Sequence, residues 1–337
     1  MLKKFFIVLV IIILAATLWY RFSLTAVGGI AGKRMKLQIP KGASVAEISA
    51  LLSKAGVIRS PLAFRLYTRI HGLQKSLQAG TFIFTPASDV PGVLEVLHTG
   101  KSSELPVTIP EGATVKEIDA ILAEKGMGVP GGLLECAKMC DFSSFQSFLP
   151  AMKGLALQRG AKLEGYLFPE TYYVNADEFV PKFFLERLLG TFDKRVLQDL
   201  GADIKVSGRT TFQIVTMASL VEAETRTDDE RPVVAGILWR RLDAQMPLGV
   251  DAAVRYVLDK PTDALTKQDL GGNSPYNLRK EKGLPPSAIS NPGIKSIEAV
   301  LHPVDSQYWY YLHDAKGQIH YAVTNDEHNA NKQKYLK

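Results

Sequence analysis

The acidic side chains with the most chemical promise are Glu222 and Glu224, within the run FQIVTMASLVEAETRTDDERPVVAGILWRRL (Phe212–Leu242). The run reads as two helices joined by an acidic corner. The first spans about Thr210 to Glu224 and is apolar over most of its surface, through Phe212, Ile214, Val215, Met217, Leu220 and Val221. A helix that is apolar nearly all round belongs in a core. A carboxyl group at the end of such a helix is partly desolvated, which disfavours its charge and lets it hold a proton near neutral pH. A proton-holding glutamate is what acid-catalysed cleavage of a glycosidic bond requires. The bland alternative puts both glutamates on a solvated last turn, where most glutamates lie. Residues 222 and 224 point roughly 200° apart on a helix, so at most one of them faces a given cleft.

Positioning that acid requires the rest of the chain. Thr227 and Glu230 have capping-box spacing and open a second helix with an apolar stripe of Val234, Ile237, Leu238 and Leu242. Upstream, LQIPKGASVAEISALLSKAGVI (Leu37–Ile58) recurs as VTIPEGATVKEIDAILAEKGMG (Val107–Gly128), offset by 70 residues. Each copy reads as a short strand, a Pro-x-Gly turn and a helix. Ser44 with Glu47 and Thr114 with Glu117 form capping boxes, and Gly56 and Gly126 are placed as C-terminal caps. The duplication is either a generic packing unit or a carbohydrate-binding module, since strand–helix units of this kind resemble LysM domains.

Further helices are expected over Pro61–Ile70, Val90–Leu97, Leu133–Leu149, Pro181 to about Gly201 and Ser296–Leu301, with a strand at Gly80–Phe84. A hairpin of Tyr308–Tyr311 with Ile319–Val323 and a helix from Glu327 to Tyr335 end the chain. Gly154–Lys162 reads as a loop. Short strands mixed with helices give an α+β class.

The N-terminus carries the clearest physical signal. Phe5–Tyr20 is an uncharged apolar run preceded by Lys3 and Lys4, and with Arg21, Phe22 and Leu24 it nears the ~20 residues that span a bilayer. Positive residues before it place the N-terminus in the cytoplasm and the remainder outside. A cleaved signal peptide is the rival reading, but its apolar run would be shorter and no small-x-small site precedes Trp19.

The 337 residues allow two or three domains, and 46% hydrophobic with 22% charged residues is a folded composition. The net charge of +6 is modest and spread along the chain, which argues against nucleic acid as a partner. Cys136 and Cys140 are the only cysteines; an i, i+4 pair is either bridged or two packed thiols, and without histidine spacing it makes no zinc site.

Six segments occur in one order: LEGYLFPETY (Leu163–Tyr172), ASLVEAET (Ala218–Thr225), SPYN (Ser274–Asn277), GLPPSAISNPG (Gly283–Gly293), HP (His302–Pro303) and EHN (Glu327–Asn329). Together, behind an outward-facing anchor, they resemble the YceG-like endolytic murein transglycosylases over the whole chain. The resemblance implies a cytoplasmic tail (1–4), a single-pass anchor in the bacterial inner membrane (5–24), a linker (25–36), a LysM-like region (37–105) and a mixed α/β catalytic domain (106–337) on the periplasmic side. It implies an enzyme without cofactor or metal that cuts the MurNAc-β-1,4-GlcNAc bond of nascent peptidoglycan strands and leaves 1,6-anhydro ends. Glycan-synthesising enzymes are the implied partners.

By the same resemblance the catalytic residue is Glu222, acid to the leaving oxygen and then base to the muramic C6 hydroxyl. Ordinary glycosidases use two carboxylates; a substrate hydroxyl acting as nucleophile makes the second dispensable. Glu224 is then structural or a secondary acid that tunes its neighbour. Glu164, Tyr166 and Glu170 are expected to line the cleft, with Tyr166 or Tyr172 stacking on a sugar face or packing in a strand-turn. Tyr276 and Asn277 are expected to recognise an N-acetyl group. Asp251 sits where the family often has an acid, but the preceding Leu248-Gly249-Val250 departs from the family pattern, as does Leu278-Arg279 after SPYN. Two other functions stay open. A muramidase-type hydrolase needs a second acid, from Asp251 or Glu170. A non-catalytic peptidoglycan-binding scaffold does not need Glu222.

Overall fold

The computed structural model describes residues 2–28, 35–84, 88–99, 104–150, 162–175, 179–260 and 262–336. Most of the expected Gly154–Lys162 loop and residues 29–34 of the linker lie outside them. The chain forms two compact units, Met1–Leu105 with Tyr173–Asp177, and Pro106–Tyr172 with Glu178–Lys337.

The first unit contains α1 (Leu2–Leu24), β1 (Met35–Ile39), α2 (Val45–Lys54), α3 (Pro61–Ile70), β2 (Gly80–Phe84) and α4 (Val90–Thr99). Several α1 side chains lie outside the described residues, and among those described no helix is long and apolar enough to cross a membrane. β1 and β2 pair antiparallel, from Met35 opposite Phe84 to Ile39 opposite Gly80. Their inward faces meet Ile48, Leu52, Phe64, Val93 and Leu97 in one apolar core. The capping box of Ser44 and Glu47 starts α2 as its spacing requires.

The second unit opens on β3 (Glu104–Thr108), whose last residues belong to it, and α5 (Val115–Glu124). These repeat the first unit's turn and helix. Thr114 and Glu117 close the second capping box. Gly42 and Gly112 take φ of 79° and 78°, and Gly56 and Gly126 take 72° and 71°. Only glycine adopts this left-handed region without strain, so the two copies share turn and helix exit alike. After α6 (Gly132–Met139) and β4 (Thr171–Asn175) come α7 (Pro181–Phe192), α8 (Gly201–Ser207), α9 (Thr211–Glu224), α10 (Glu230–Asp243), α11 (Asp251–Leu258), α12 (Lys267–Gly271) and α13 (Ile294–Leu301). Strands β5 (Tyr310–His313) and β6 (Ile319–Ala322) form an antiparallel hairpin before α14 (Asn325–Tyr335).

Three expectations are corrected. The helix expected over Leu133–Leu149 stops at Met139, and a short 3-10 turn, Ser143–Phe145, follows. The helix from Pro181 is broken: α7 passes into π-helical Asp193–Gln198 before α8. α10 starts at Glu230 rather than Thr227, with no side-chain cap at Asp229. Glu230 is taken up elsewhere, accepting the Arg226 N–H at 2.8 Å and contacting His313 Nε2 at 3.1 Å. Cys136 and Cys140 are joined as a disulfide at the end of α6.

The core of the second unit is α9. Its residues 214–221 are all buried, so the helix is enclosed nearly all round, as its composition requires. Thr210 and Gln213 form its capping box. α10 and α13 pack along it, and its C-terminal end carries Glu222 and Glu224 to the edge of the core.

Candidate active site

Four chain segments converge at the C-terminal end of α9, and one asparagine ties three of them together. Asn291 is 0% exposed. Its Oδ1 accepts the N–H groups of Gly165 and Leu167, each at 2.9 Å. Its Nδ2 donates to Ala113 O at 2.8 Å and to Glu164 Oε1 at 3.1 Å. Its backbone N–H donates to Ala113 O at 3.0 Å, and its carbonyl accepts from Gly112 N at 2.8 Å. Buried polar groups must be paired, and here the pairing joins the 110–115 turn, the 163–167 turn and the 289–293 loop.

Glu164 belongs to the same network. It is 3% exposed. Oε1 also accepts from Val115 N at 3.1 Å, and Oε2 accepts from the Tyr256 hydroxyl at 3.2 Å, which brings in α11. Gly165 lets this turn press on α9. It has φ +92°, and a Cβ there would lie 2.5 Å from Val215 and 2.6 Å from Ala288. Ser219, inside α9, accepts the Ile289 N–H at 3.1 Å and so fixes the loop to the helix.

These segments wall a cleft of about 770 Å³ whose lining includes Glu222, Glu164, Glu111, Lys116, Arg255 and Tyr256. That volume suits a small-molecule or oligomer site. Glu222 Oε2 accepts the Gly293 N–H at 2.9 Å. Oε1 lies 3.4 Å from Arg231 Nη2, and both side chains are 10% exposed. Arg231 is held in turn by Ser296 Oγ at 3.0 Å and by Asp228. A carboxyl group on a cleft wall, oriented by a backbone donor and a fixed guanidinium, is positioned to exchange a proton with a bound oxygen.

Glu224 points away and enters a different cluster. Its Oε2 accepts from the Tyr311 hydroxyl at 3.0 Å. Burial pushes its pKa up to about 7; Asp251 adds to the push, and the Tyr311 bond with Arg241 and Arg279 opposes it. Asp251 itself is held by Arg279 through two contacts of 2.5 and 2.7 Å. The departure of Arg279 from the family pattern thus finds its partner in Asp251.

Of the residues expected at the site, the structure brings Glu222 and Glu164 into the cleft lining. It does not bring in the aromatic rings. Tyr166 is 1% exposed, packed against Phe148 and Phe192, with burial raising its pKa. Tyr276 is 0% exposed and its hydroxyl meets Ser287 Oγ at 2.7 Å. Neither presents a face for a sugar. Tyr172 is buried too, donating to Phe168 O at 2.6 Å, with its pKa pushed up to about 12 by burial. Asn277 spends its amide on Leu270 O and Gly272 O at 2.9 and 2.8 Å, closing its own loop instead of recognising a ligand. The Glu170 side chain is exposed outside the cleft lining, and its carbonyl accepts from Ile109 N. Sequence reasoning missed Glu111, Arg231, Tyr256 and Asn291. Their roles depend on contacts across 9 to 182 positions in the chain, which no local pattern exposes.

The sequence model of the YceG-like family matches residues 37–334. A Bacillus subtilis protein named endolytic murein transglycosylase is 31% identical over 312 residues, covering 90% of this chain and 85% of its own length. A Streptococcus pneumoniae protein of the same name is 27% identical over 334 residues; the match spans 92% of this chain but 60% of that longer relative. Among solved structures, a putative YceG-like protein from Listeria monocytogenes superposes with a TM-score of 0.61 at 27% identity, covering 88% of this chain and 99% of its own.

Proposed function

The chain belongs to the YceG-like family, and on that premise we propose that it is an endolytic lytic transglycosylase acting on peptidoglycan glycan strands. Its relatives carry that name over nearly the whole of this chain. The observation that carries the chemistry is Glu222, a carboxyl group in the cleft held by the Gly293 N–H and Arg231.

In this reading the strand lies along the cleft with a MurNAc-β-1,4-GlcNAc bond beside Glu222. Glu222 gives its proton to the glycosidic oxygen and the bond to the anomeric carbon breaks. The muramic C6 oxygen bonds to that carbon, and its proton passes to Glu222. Atoms balance without water, the product ends are 1,6-anhydro-MurNAc, and Glu222 is regenerated. A single carboxyl suffices because the substrate supplies the nucleophile. The hydrolase reading loses support at both acids named for it, since Asp251 is engaged by Arg279 and Glu170 lies outside the cleft lining.

We further assign residues 5–24 as a single-pass anchor in the bacterial cytoplasmic membrane, with the catalytic part on its outer side. The support is the apolar run behind Lys3 and Lys4 with Trp19 and Tyr20 at its far end. Residues 37–105 are assigned as a LysM-like glycan-binding region; the support is the strand–helix–helix–strand order of β1, α2, α3 and β2. An enzyme tethered there meets strands as synthases extend them, so peptidoglycan synthases are the partners we propose.

The test is mass spectrometry of glycan ends released from purified sacculi by the full-length protein in detergent. Ends lighter by one water, absent with Glu222→Gln and present with Glu224→Gln, are expected. Reducing ends from the wild type would establish a hydrolase. No new ends from any version would favour the scaffold.

A further inference from the structure

A second carboxylate stands beside Glu222, and no sequence pattern of the site singled it out. The Glu111 side chain abuts Gly293: a Cβ built on that glycine would be 2.1 Å from Glu111 Oε1. The same glycine donates its N–H to Glu222. Two acids from distant parts of the chain therefore rest on one residue. The turn bearing Glu111 is also set against the acid, because a Cβ on Gly112 would lie 3.5 Å from Glu222 Cγ. Its position is fixed by the bond from Gly112 N to Asn291 O.

Glu111 lines the main cleft and a neighbouring hollow of about 440 Å³, which share Gly112, Glu117 and Ala120 with it. It therefore borders both. Among the described residues its carboxylate has no hydrogen bond and no ion pair; Lys295, bonded to Asp228, is the cation that feels its charge.

The internal repeat supplies an independent argument. The first copy has Pro40-Lys41-Gly42 where the second has Pro110-Glu111-Gly112, with glycine φ of 79° and 78° and equivalent capping boxes. The turn tolerates opposite charges, so folding does not demand glutamate at 111. Acid appears in the copy that borders the cleft.

We propose that Glu111 is a second, substrate-contacting carboxylate that stabilises the positive charge developing at the anomeric carbon while Glu222 moves the proton. This rests on the transglycosylase reading above. Bond breaking at the anomeric carbon passes through an oxocarbenium-like state, and a fixed negative group aimed at such charge strengthens as the charge grows. Glu111 forms no bond and exchanges no proton. The glycosidic bond breaks, the C6 oxygen closes on the carbon, and the proton cycle stays on Glu222.

The experiment is steady-state kinetics of end release by the full-length protein, for wild type, Glu111→Gln, Glu111→Asp and Glu111→Lys, with thermal midpoints for each. Glu111→Gln is expected to lower kcat by about 100-fold, the scale of losing one preorganised electrostatic contact, with KM within about threefold. Glu111→Asp should restore part of kcat, and Glu111→Lys should fall below Glu111→Gln. Midpoints should stay near the wild-type value. A Glu111→Gln variant with kcat within threefold of wild type overturns the proposal, as do equal losses in Gln and Asp variants that also melt early. Reducing ends from the wild type would overturn it as well, making Glu111 an activator of water. If the wild type releases no ends, the parent reading falls and this one with it; an active wild type beside an unimpaired Glu111→Gln overturns this proposal alone.

Discussion

Glu222 and Glu224 end one helix and take different partners: Glu222 accepts from the Gly293 N–H at 2.9 Å, and Glu224 from the Tyr311 hydroxyl at 3.0 Å. Two residues along a helix is over half a turn, so the pair faces two environments. One carboxyl opens on a cleft; the other enters a cluster with Asp251, Arg279 and Arg241.

That division predicts opposite outcomes for matched variants. Glu222→Gln should abolish end release with little change in stability. Glu224→Gln should retain activity and alter the pH dependence of stability instead. Burial raises the folded-state pKa of Glu224 from 4.5 to about 7. Its contribution is therefore fully present below pH 4.5 and lost as pH rises through 7, where a desolvated charge forms. Glutamine removes that titration. The variant should match wild type near pH 4.5 and exceed it at pH 8 by on the order of 2 kcal/mol, after discounting for solvent that reaches the group. Urea unfolding at the two pH values checks this, and a constant difference would contradict it.

Asn291→Ala should cost about 3 kcal/mol or more, because it strands the buried N–H groups of Gly165 and Leu167 and removes a donor to Glu164. Activity should fall with it, since the same bonds set the cleft walls. Chemical denaturation paired with end-release assays well below the new midpoint would separate the two losses.

Gly293→Ala isolates the two acids. The φ of −71° suits any residue, and the N–H to Glu222 is kept. The new Cβ collides with the end of the Glu111 side chain, which can swing away. The expected result is a folded protein, its stability within about 1 kcal/mol of wild type, with kcat lowered toward that of Glu111→Gln. Unchanged kinetics would show that the position of Glu111 over Gly293 is immaterial.

The anchor is tested by fractionation. Deleting residues 2–20 should move the protein from the carbonate-resistant membrane fraction to the soluble fraction. It spares Leu24, which packs against the core of the first unit, and Phe22, whose ring lies 4.7 Å from the Arg59 guanidinium. Retention in membranes after the deletion would show that another surface holds the protein there.

Much of the scaffold is legible in the chain because its signals are local. Capping residues bond three positions away, so the helices starting after Ser44, Thr114 and Thr210 begin where their spacing says. The repeat is legible for the same reason, down to matched glycine angles at 42 and 112. Where other partners compete for a capping residue the local reading fails, as at Glu230, which accepts the Arg226 N–H four positions away and meets His313, 83 positions on. The site was legible only at Glu222 and Glu164, both carried in motifs.

The sequence alone determined which helix would be enclosed, that its end would carry carboxyl groups, and that only one of Glu222 and Glu224 would face a cleft. These follow from composition and helical geometry, which act over a few residues. The motif resemblance singled out Glu222, and tertiary structure decided what surrounds each of the two. Tyr166 read as a sugar-stacking ring and Tyr276 as a contact for an N-acetyl group until Phe148 and Phe192 packed on the first and Ser287 bonded the second in the core. Glu111 read as a turn residue until folding laid it on Gly293, 182 positions away. A side chain's exposure and its partners are set by whatever the chain brings back from a distance, and no window of sequence contains that information.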